Sequence, residues 1–220
     1  MNRSTRVVFD LDGTLIDSVR DLGAAASELA TSLGGRALSH QEVATMVGDG
    51  AGVLVRRALA AAGVDPDVPG ALPRFLEIYD RRLLETTLPY RGVEEMLEMA
   101  SRRARLAVLT NKPLGPSQRI LDGLGLISYF DEIVGGDGAH GRKPDPAGLR
   151  SLAGETNHLL LVGDSPVDAE TASAAGCTFA WARYGFGAAR FDDPPKTPYV
   201  LEHPADLAAV MDRVLAIRSE

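Results

Sequence analysis

Short apolar runs rich in β-branched and aromatic residues punctuate the chain at residues 6–10, 106–110, 132–134, 159–163 and 178–182. They do not alternate with polar positions, so each predicts a strand buried on both faces of a sheet. Between them the apolar positions recur at helical spacing. Val93, Met96, Leu97 and Ala100 share one face; Ile120, Leu121 and Leu124 share another, closed near Gly125. Residues 168–175 predict a short helix that Gly176 can end in a left-handed cap, and residues 205–217 predict the last one. Strands alternating with helices define an α/β fold, a Rossmann-like parallel sheet covered on both faces.

The stretch 17–89 breaks this rhythm and holds no convincing strand. Val19, Leu22, Ala26, Leu29 and Leu33 form a helical stripe that Gly34 and Gly35 end. A second helix is predicted over 53–62, closed by Gly63. Pro66, Pro69 and Pro73 mark a loop, and Leu72, Leu76, Tyr79 and Leu83 form another stripe. The chain thus divides into an α/β core, residues 1–16 and 89–220, and an all-helical cap, residues 17–88, inserted after the first strand. Its junctions, near 15–18 and 88–92, are candidate hinges. Residues 191–198, with three prolines, read as a surface loop before a final strand and helix.

Composition narrows the function classes. The 220 residues carry a net charge of −7, which disfavours general nucleic-acid binding. No apolar run exceeds five residues, too short for a membrane span, and residues 1–9 carry no secretory signal pattern. A cytoplasmic protein, monomeric or homodimeric, is expected. The single Cys177 excludes an internal disulfide, and the four scattered histidines lack metal-ligand spacing. Of 23 basic residues only Lys112, Lys143 and Lys196 are lysines. In a chain that otherwise uses Arg, a Lys hints that a compact, flexible ammonium is needed.

Ligands in open parallel sheets bind beyond the carboxyl ends of the strands. Here those ends carry Asp10-Leu11-Asp12-Gly13-Thr14, then Thr110-Asn111, then Gly163-Asp164-Ser165 with Asp168 four residues on. Gly141-Arg142-Lys143-Pro144 lies between the third and fourth strands. Any one of these alone would be an ordinary turn or cap. Together, in order at one end of consecutive strands, they predict a pocket. Asp10, Asp12, Asp164 and Asp168 would repel one another without a cation, and an oxygen-only site suits Mg²⁺. A metal beside a lysine makes a place for phosphate, with turning N–H groups and the Thr110 hydroxyl around it. Of two neighbouring carboxylates, one can attack phosphorus and the other can shuttle a proton. Two other patterns fail: Gly48 to Gly52 does not follow a strand as a dinucleotide loop must, and a calcium loop starting at Asp10 has Leu15 where glycine is needed.

Val7-Val-Phe-Asp-Leu-Asp-Gly-Thr-Leu15, Val108-Leu-Thr-Asn-Lys-Pro113, Arg142-Lys-Pro-Asp-Pro146 and Val162-Gly-Asp-Ser-Pro-Val-Asp168 resemble the four signature motifs of the haloacid dehalogenase-like superfamily. The resemblance covers essentially the whole chain and implies a Mg²⁺-dependent phosphomonoester hydrolase. Asp10 would be the nucleophile and form an aspartyl-phosphate; Asp12 would be the acid, then the base. Asp10, the Asp12 carbonyl and Asp164 would hold the metal, with Asp168 acting through water or orienting Lys143. Thr110 and Lys143 would bind the phosphoryl group, helped by Leu11 and by the backbone N–H of Asn111. An acid at Asp12 argues against a dehalogenase.

Thr110-Asn-Lys-Pro113 and the cap segment Met46 to Leu59 are most similar to bacterial phosphoglycolate phosphatases. That implies a small phosphorylated metabolite as partner, 2-phosphoglycolate foremost, with Arg56 as a possible cap contact to its carboxylate. The same chemistry on a sugar phosphate, N-acetylmuramic acid 6-phosphate, a nucleotide monophosphate or pyrophosphate stays open, as does a phosphosugar mutase. A receiver-type signalling module and a catalytically dead binding protein are the competing classes. The long insert and the acid at Asp12 disfavour the first, and the intact motifs the second.

Overall fold

The computed structural model describes residues 5–156 and 158–216. Met1 to Ser4 and the expected end of the last helix at Ile217 lie outside the described residues. The core strands are β1 (Thr5–Phe9), β4 (Arg105–Leu109), β5 (Glu132–Val134), β6 (His158–Gly163), β7 (Thr178–Ala182) and β8 (Val200–Leu201). They form a sheet in the order β5-β4-β1-β6-β7-β8, every neighbouring pair parallel. The first strand therefore sits centrally, between β4 and β6, at a switch in strand order. Its side chains alternate between faces. Val7 and Phe9 join one apolar cluster and Val8 joins another, with Leu161 and Trp181, so the continuous run VVF feeds two layers.

The core helices are α5 (Val93–Ser101), α6 (Leu114–Gly123), α7 (Ala147–Ala153), α8 (Pro166–Ala175) and α9 (Leu207–Ala216). Gly176, with φ of 72°, ends α8 in the left-handed conformation expected for it. The insert holds α1 (Val19–Ser32), α2 (His40–Ala44), α3 (Ala51–Ala61) and α4 (Ala71–Asp80). Its apolar residues Leu22, Leu54 and Phe75 belong to the same cluster as Val7 and Phe9, so one body of apolar contact runs from sheet to insert.

Three details differ from the sequence expectations. The insert is not free of strand: β2 (Ile16–Asp17) pairs antiparallel with β3 (Leu88–Pro89). This two-residue ribbon ties the insert's entrance to its exit, and so short a long-range pairing leaves no periodicity to read. Pro73 is not in a loop but in the first turn of α4, where its missing N–H forfeits no helical bond. The short α2 is fixed by Ser39 and Glu42 in a reciprocal capping box, a local signal that carries no apolar stripe.

Asp21, at the start of α1, fastens the same junction. Its carboxylate accepts from the N–H groups and hydroxyls of both Thr86 and Thr87, at 2.5 to 3.1 Å. Burial alone would raise its pKa, but the donors from Thr86 and Thr87 outweigh burial and hold it below the usual carboxylate range. Asp21→Ala leaves these donors without their acceptor and is expected to lower stability by about 2–4 kcal/mol, measured by urea unfolding. A depressed folded pKa contributes stability that is present above the unfolded value near 4 and fades as pH falls through the folded one. The gap between wild type and variant should therefore narrow in acid.

Candidate active site

The loops leaving β1, β4 and β6, with the segment before α7, converge at one end of the sheet. Asp10 follows β1 directly, and its N–H bonds to Val162 O at 2.9 Å, so β6 holds it in line. Thr110 follows β4 and is held likewise by its N–H to Val134 O at 3.0 Å. The turn after Asp10 needs Gly13: its φ is 93°, and a Cβ there would overlap the Asp164 carboxylate.

Asp10, Asp164 and Asp168 are buried and each places a carboxylate oxygen within 4.8 Å of the other two. Lys143 Nζ lies 2.7 Å from Asp10 Oδ1 and 2.6 Å from Asp168 Oδ1. The second Asp168 oxygen accepts from Ser165 N at 3.0 Å and Oγ at 2.6 Å, which locks it at the start of α8. Asp164 accepts from Thr14 Oγ1 at 3.1 Å and from Gly187 N at 2.7 Å. Among the described residues no lysine or arginine pairs with it. The segment 184–187 thus supplies a backbone donor to the site through Gly187.

Burial pushes the Asp10 carboxyl up to about 7, against the pull of Lys143, with Asp168 adding repulsion. Burial and then the charges of Asp10 and Asp168 push Asp164 well above its ordinary range. Lys143 moves the other way: burial opposes its charge, but Asp10 and Asp168 hold its pKa above the usual lysine value. Fully ionised, the three carboxylates against one ammonium would carry a net charge of two negatives, so burial and mutual repulsion favour protonation unless a cation joins them. That donor set fits a hard divalent cation. The Asp12 carboxylate stands outside this cluster.

Asn111 has a larger part than its backbone alone. Its side chain accepts from Lys143 N at 2.8 Å and donates to Lys143 O at 3.0 Å, clamping the backbone that carries the lysine. The same amide donates to Gly48 O in the insert at 3.0 Å. Asp12 is held by Lys112, whose Nζ lies 2.9 and 2.8 Å from its two oxygens, and by Ser18 Oγ at 2.5 Å. No role for Lys112 follows from the motif spacing. The scarcity of lysine is the signal that finds it, since Lys112 and Lys143 both stand in the site.

Asp10, Asp12, Thr110, Asn111 and Lys112 form the core wall of a cavity of about 40 Å³. Val47, Gly48, Gly50, Ala51, Leu54, Phe75, Leu76 and Tyr79 close it from the insert. Arg56, the possible cap contact, does not line this cavity. Arg56 pairs with Asp67, and both side chains are 62% exposed. Leu54, Val55, Ala58 and Leu59 take the buried face of α3, so the helical phase turns Arg56 and Arg57 outward. Arg57 pairs with Asp49, which Arg190 of the core also meets at 2.7 Å. Arg190 further donates to Val47 O at 2.6 Å, so this cluster joins core to insert beside the cavity.

Residues 7–182 match the model of the haloacid dehalogenase-like hydrolase family. The phosphoglycolate phosphatase of Cereibacter sphaeroides is 39% identical over 216 residues, which cover 96% of this chain and 99% of that protein. That of Rhodospirillum rubrum is 42% identical over 192 residues, covering 82% and 80%. Among solved structures, a predicted phosphoglycolate phosphatase from Haemophilus somnus superposes with a TM-score of 0.83 at 29% identity, covering 96% of this chain and 99% of that one. The chain belongs to the haloacid dehalogenase-like hydrolases, and within them it is a phosphatase. No described helix is long and apolar enough to cross a membrane.

Proposed function

We propose that this phosphatase hydrolyses 2-phosphoglycolate to glycolate and phosphate, with Mg²⁺, through a phosphoryl group carried on Asp10. The observation that carries the chemistry is the pairing of Asp10, shared by Lys143 and the carboxylate cluster, with Asp12, separately held two residues on. The phosphoryl group rests against Asp10, Thr110 and Lys143. An Asp10 oxygen attacks phosphorus and the bond from phosphorus to the glycolate oxygen breaks. Asp12 gives its proton to that leaving oxygen. A water then attacks phosphorus, Asp12 takes the proton back, and the Asp10–phosphorus bond breaks to release phosphate. Asp10, the Asp12 carbonyl and Asp164, with Asp168 behind them, would hold Mg²⁺, which would supply positive charge against the phosphoryl oxygens and favour the ionised form of Asp10. Lys143 neutralises phosphoryl charge, Asp168 and Asn111 hold Lys143 in place, and residues 17–88 act as a cap that excludes water.

Two facts support the substrate. Relatives similar over nearly the whole chain are phosphoglycolate phosphatases. The cavity beside Asp12 is small, about 40 Å³, which suits a small leaving group better than a sugar ring or nucleoside. The test is phosphate release from 2-phosphoglycolate, hexose phosphates, N-acetylmuramic acid 6-phosphate, nucleotide monophosphates and pyrophosphate, with Mg²⁺ and with EDTA. The expected result is a kcat/KM for 2-phosphoglycolate at least about 10²-fold above the rest, abolished by EDTA and restored by Mg²⁺. Comparable turnover of a larger substrate would remove the substrate assignment and leave the chemistry.

A further inference from the structure

Lys112 and Tyr79 take no part in the steps above, yet they meet beside Asp12. Lys112 stands on the core, two residues past Thr110; Tyr79 stands on α4 of the insert. The ammonium touches both Asp12 oxygens on one side and lies 4.7 Å from the Tyr79 ring centroid on the other. Among the described residues, Lys112 is the one cation lining the cavity. Burial opposes its charge, and Asp12 and Tyr79 hold its pKa above the usual lysine value.

The Tyr79 hydroxyl is the second observation. Tyr79 is 3% exposed and lines the same cavity; its hydroxyl faces the Lys112 ammonium, and among the described residues it finds no acceptor for its proton. A buried donor without an acceptor is unfavourable and calls for an explanation. Phe75 stacks on the ring at 5.9 Å with planes 9° apart, so the hydroxyl is presented on a fixed ring. Gly50 and Ala51, at the start of α3, also line the cavity.

We propose that Lys112 and Tyr79 form the subsite for the carboxylate of the substrate. The class of ligand is a phosphate ester with a carboxylate one carbon from the ester oxygen. Asp12 must reach that ester oxygen to protonate it, and Lys112 touches Asp12, so the ammonium lies one carboxylate's width from the leaving group. The Tyr79 hydroxyl donates to the second carboxylate oxygen. The subsite rests on the substrate reading above, and it places recognition on a core–cap pair in place of an arginine on the cap surface. Because one partner comes from each unit, only the closed arrangement offers both.

The test compares 2-phosphoglycolate with 2-hydroxyethyl phosphate, which keeps the ester and loses the charge. Wild-type enzyme is expected to favour the acid by about 10²-fold in kcat/KM. Tyr79→Phe should narrow that ratio about tenfold, chiefly through KM for the acid, and Lys112→Met should narrow it further. Tyr79→Phe removes a hydroxyl whose proton finds no acceptor and keeps the ring stack, so the ligand-free variant should melt no lower than wild type. A wild-type enzyme without preference for the acid would overturn the substrate reading and the subsite with it. A wild-type preference that both variants leave unchanged, lowering the two substrates by one common factor, would overturn the subsite alone. A lowered melting temperature in Tyr79→Phe would assign the hydroxyl a structural part and also count against it.

Discussion

Asp10→Asn is expected to lower kcat on 2-phosphoglycolate by at least about 10⁴-fold, because the amide cannot take the phosphoryl group and no neighbour can replace it. Asp12 is held away by Lys112 and Ser18, while Asp164 and Asp168 spend their oxygens on Thr14, Gly187, Ser165 and Lys143. The loss should not come from unfolding. Burial already pushes the Asp10 carboxyl to about 7, so a neutral side chain of the same shape relieves a crowded cluster. Lys143 retains Asp168 at 2.6 Å. The variant should therefore melt at or above the wild-type temperature, and phosphate release together with calorimetry on one sample separates the two effects. A folded variant keeping more than a few per cent of wild-type kcat would remove Asp10 as nucleophile.

Much of this site is legible in the sequence because Asp10, Thr110 and Asp164 each sit one or two residues past an apolar run. β1, β4 and β6 are continuous buried strands, so their ends are set by where the apolar residues stop, and Asp10, Thr110 and Asp164 follow at once. Parallel pairing then brings residues far apart in the chain to one edge without further instruction. The cap gives less away. Tyr79 lies in a stripe with Leu72 and Leu76 that any buried helix would show, and nothing local says that its hydroxyl lacks an acceptor. Arg56 and Arg57 are adjacent cations beside a cavity-lining turn, but the turn of α3 carries both outward; a shift of one residue in phase decides the matter. The ribbon of β2 and β3 and the Asp21 clasp join segments about 65 to 73 residues apart. Their residues are ordinary in type, and only the tertiary pairing gives them a function.

The second large effect belongs to Asp12, and its size should depend on the leaving group. General acid catalysis is worth about 10²–10⁴-fold when the departing oxygen is a poor leaving group. Asp12→Asn keeps much of the side-chain shape and the contact with Ser18, and removes the transferable proton and the charge facing Lys112. On 2-phosphoglycolate, whose leaving alkoxide is strongly basic, kcat/KM should fall about 10³-fold. On p-nitrophenyl phosphate the departing phenolate needs no proton, so the first step should be nearly spared. The second step still lacks its base, because the attacking water has lost the group that takes its proton. The variant should therefore release one equivalent of p-nitrophenol per enzyme in a burst and then turn over slowly, leaving phosphate on the protein. Rapid-mix absorbance follows the burst, and acid quench with mass analysis finds the phosphoryl group on Asp10. Equal losses on both substrates with no burst would mean that Asp12 serves only to position Lys112.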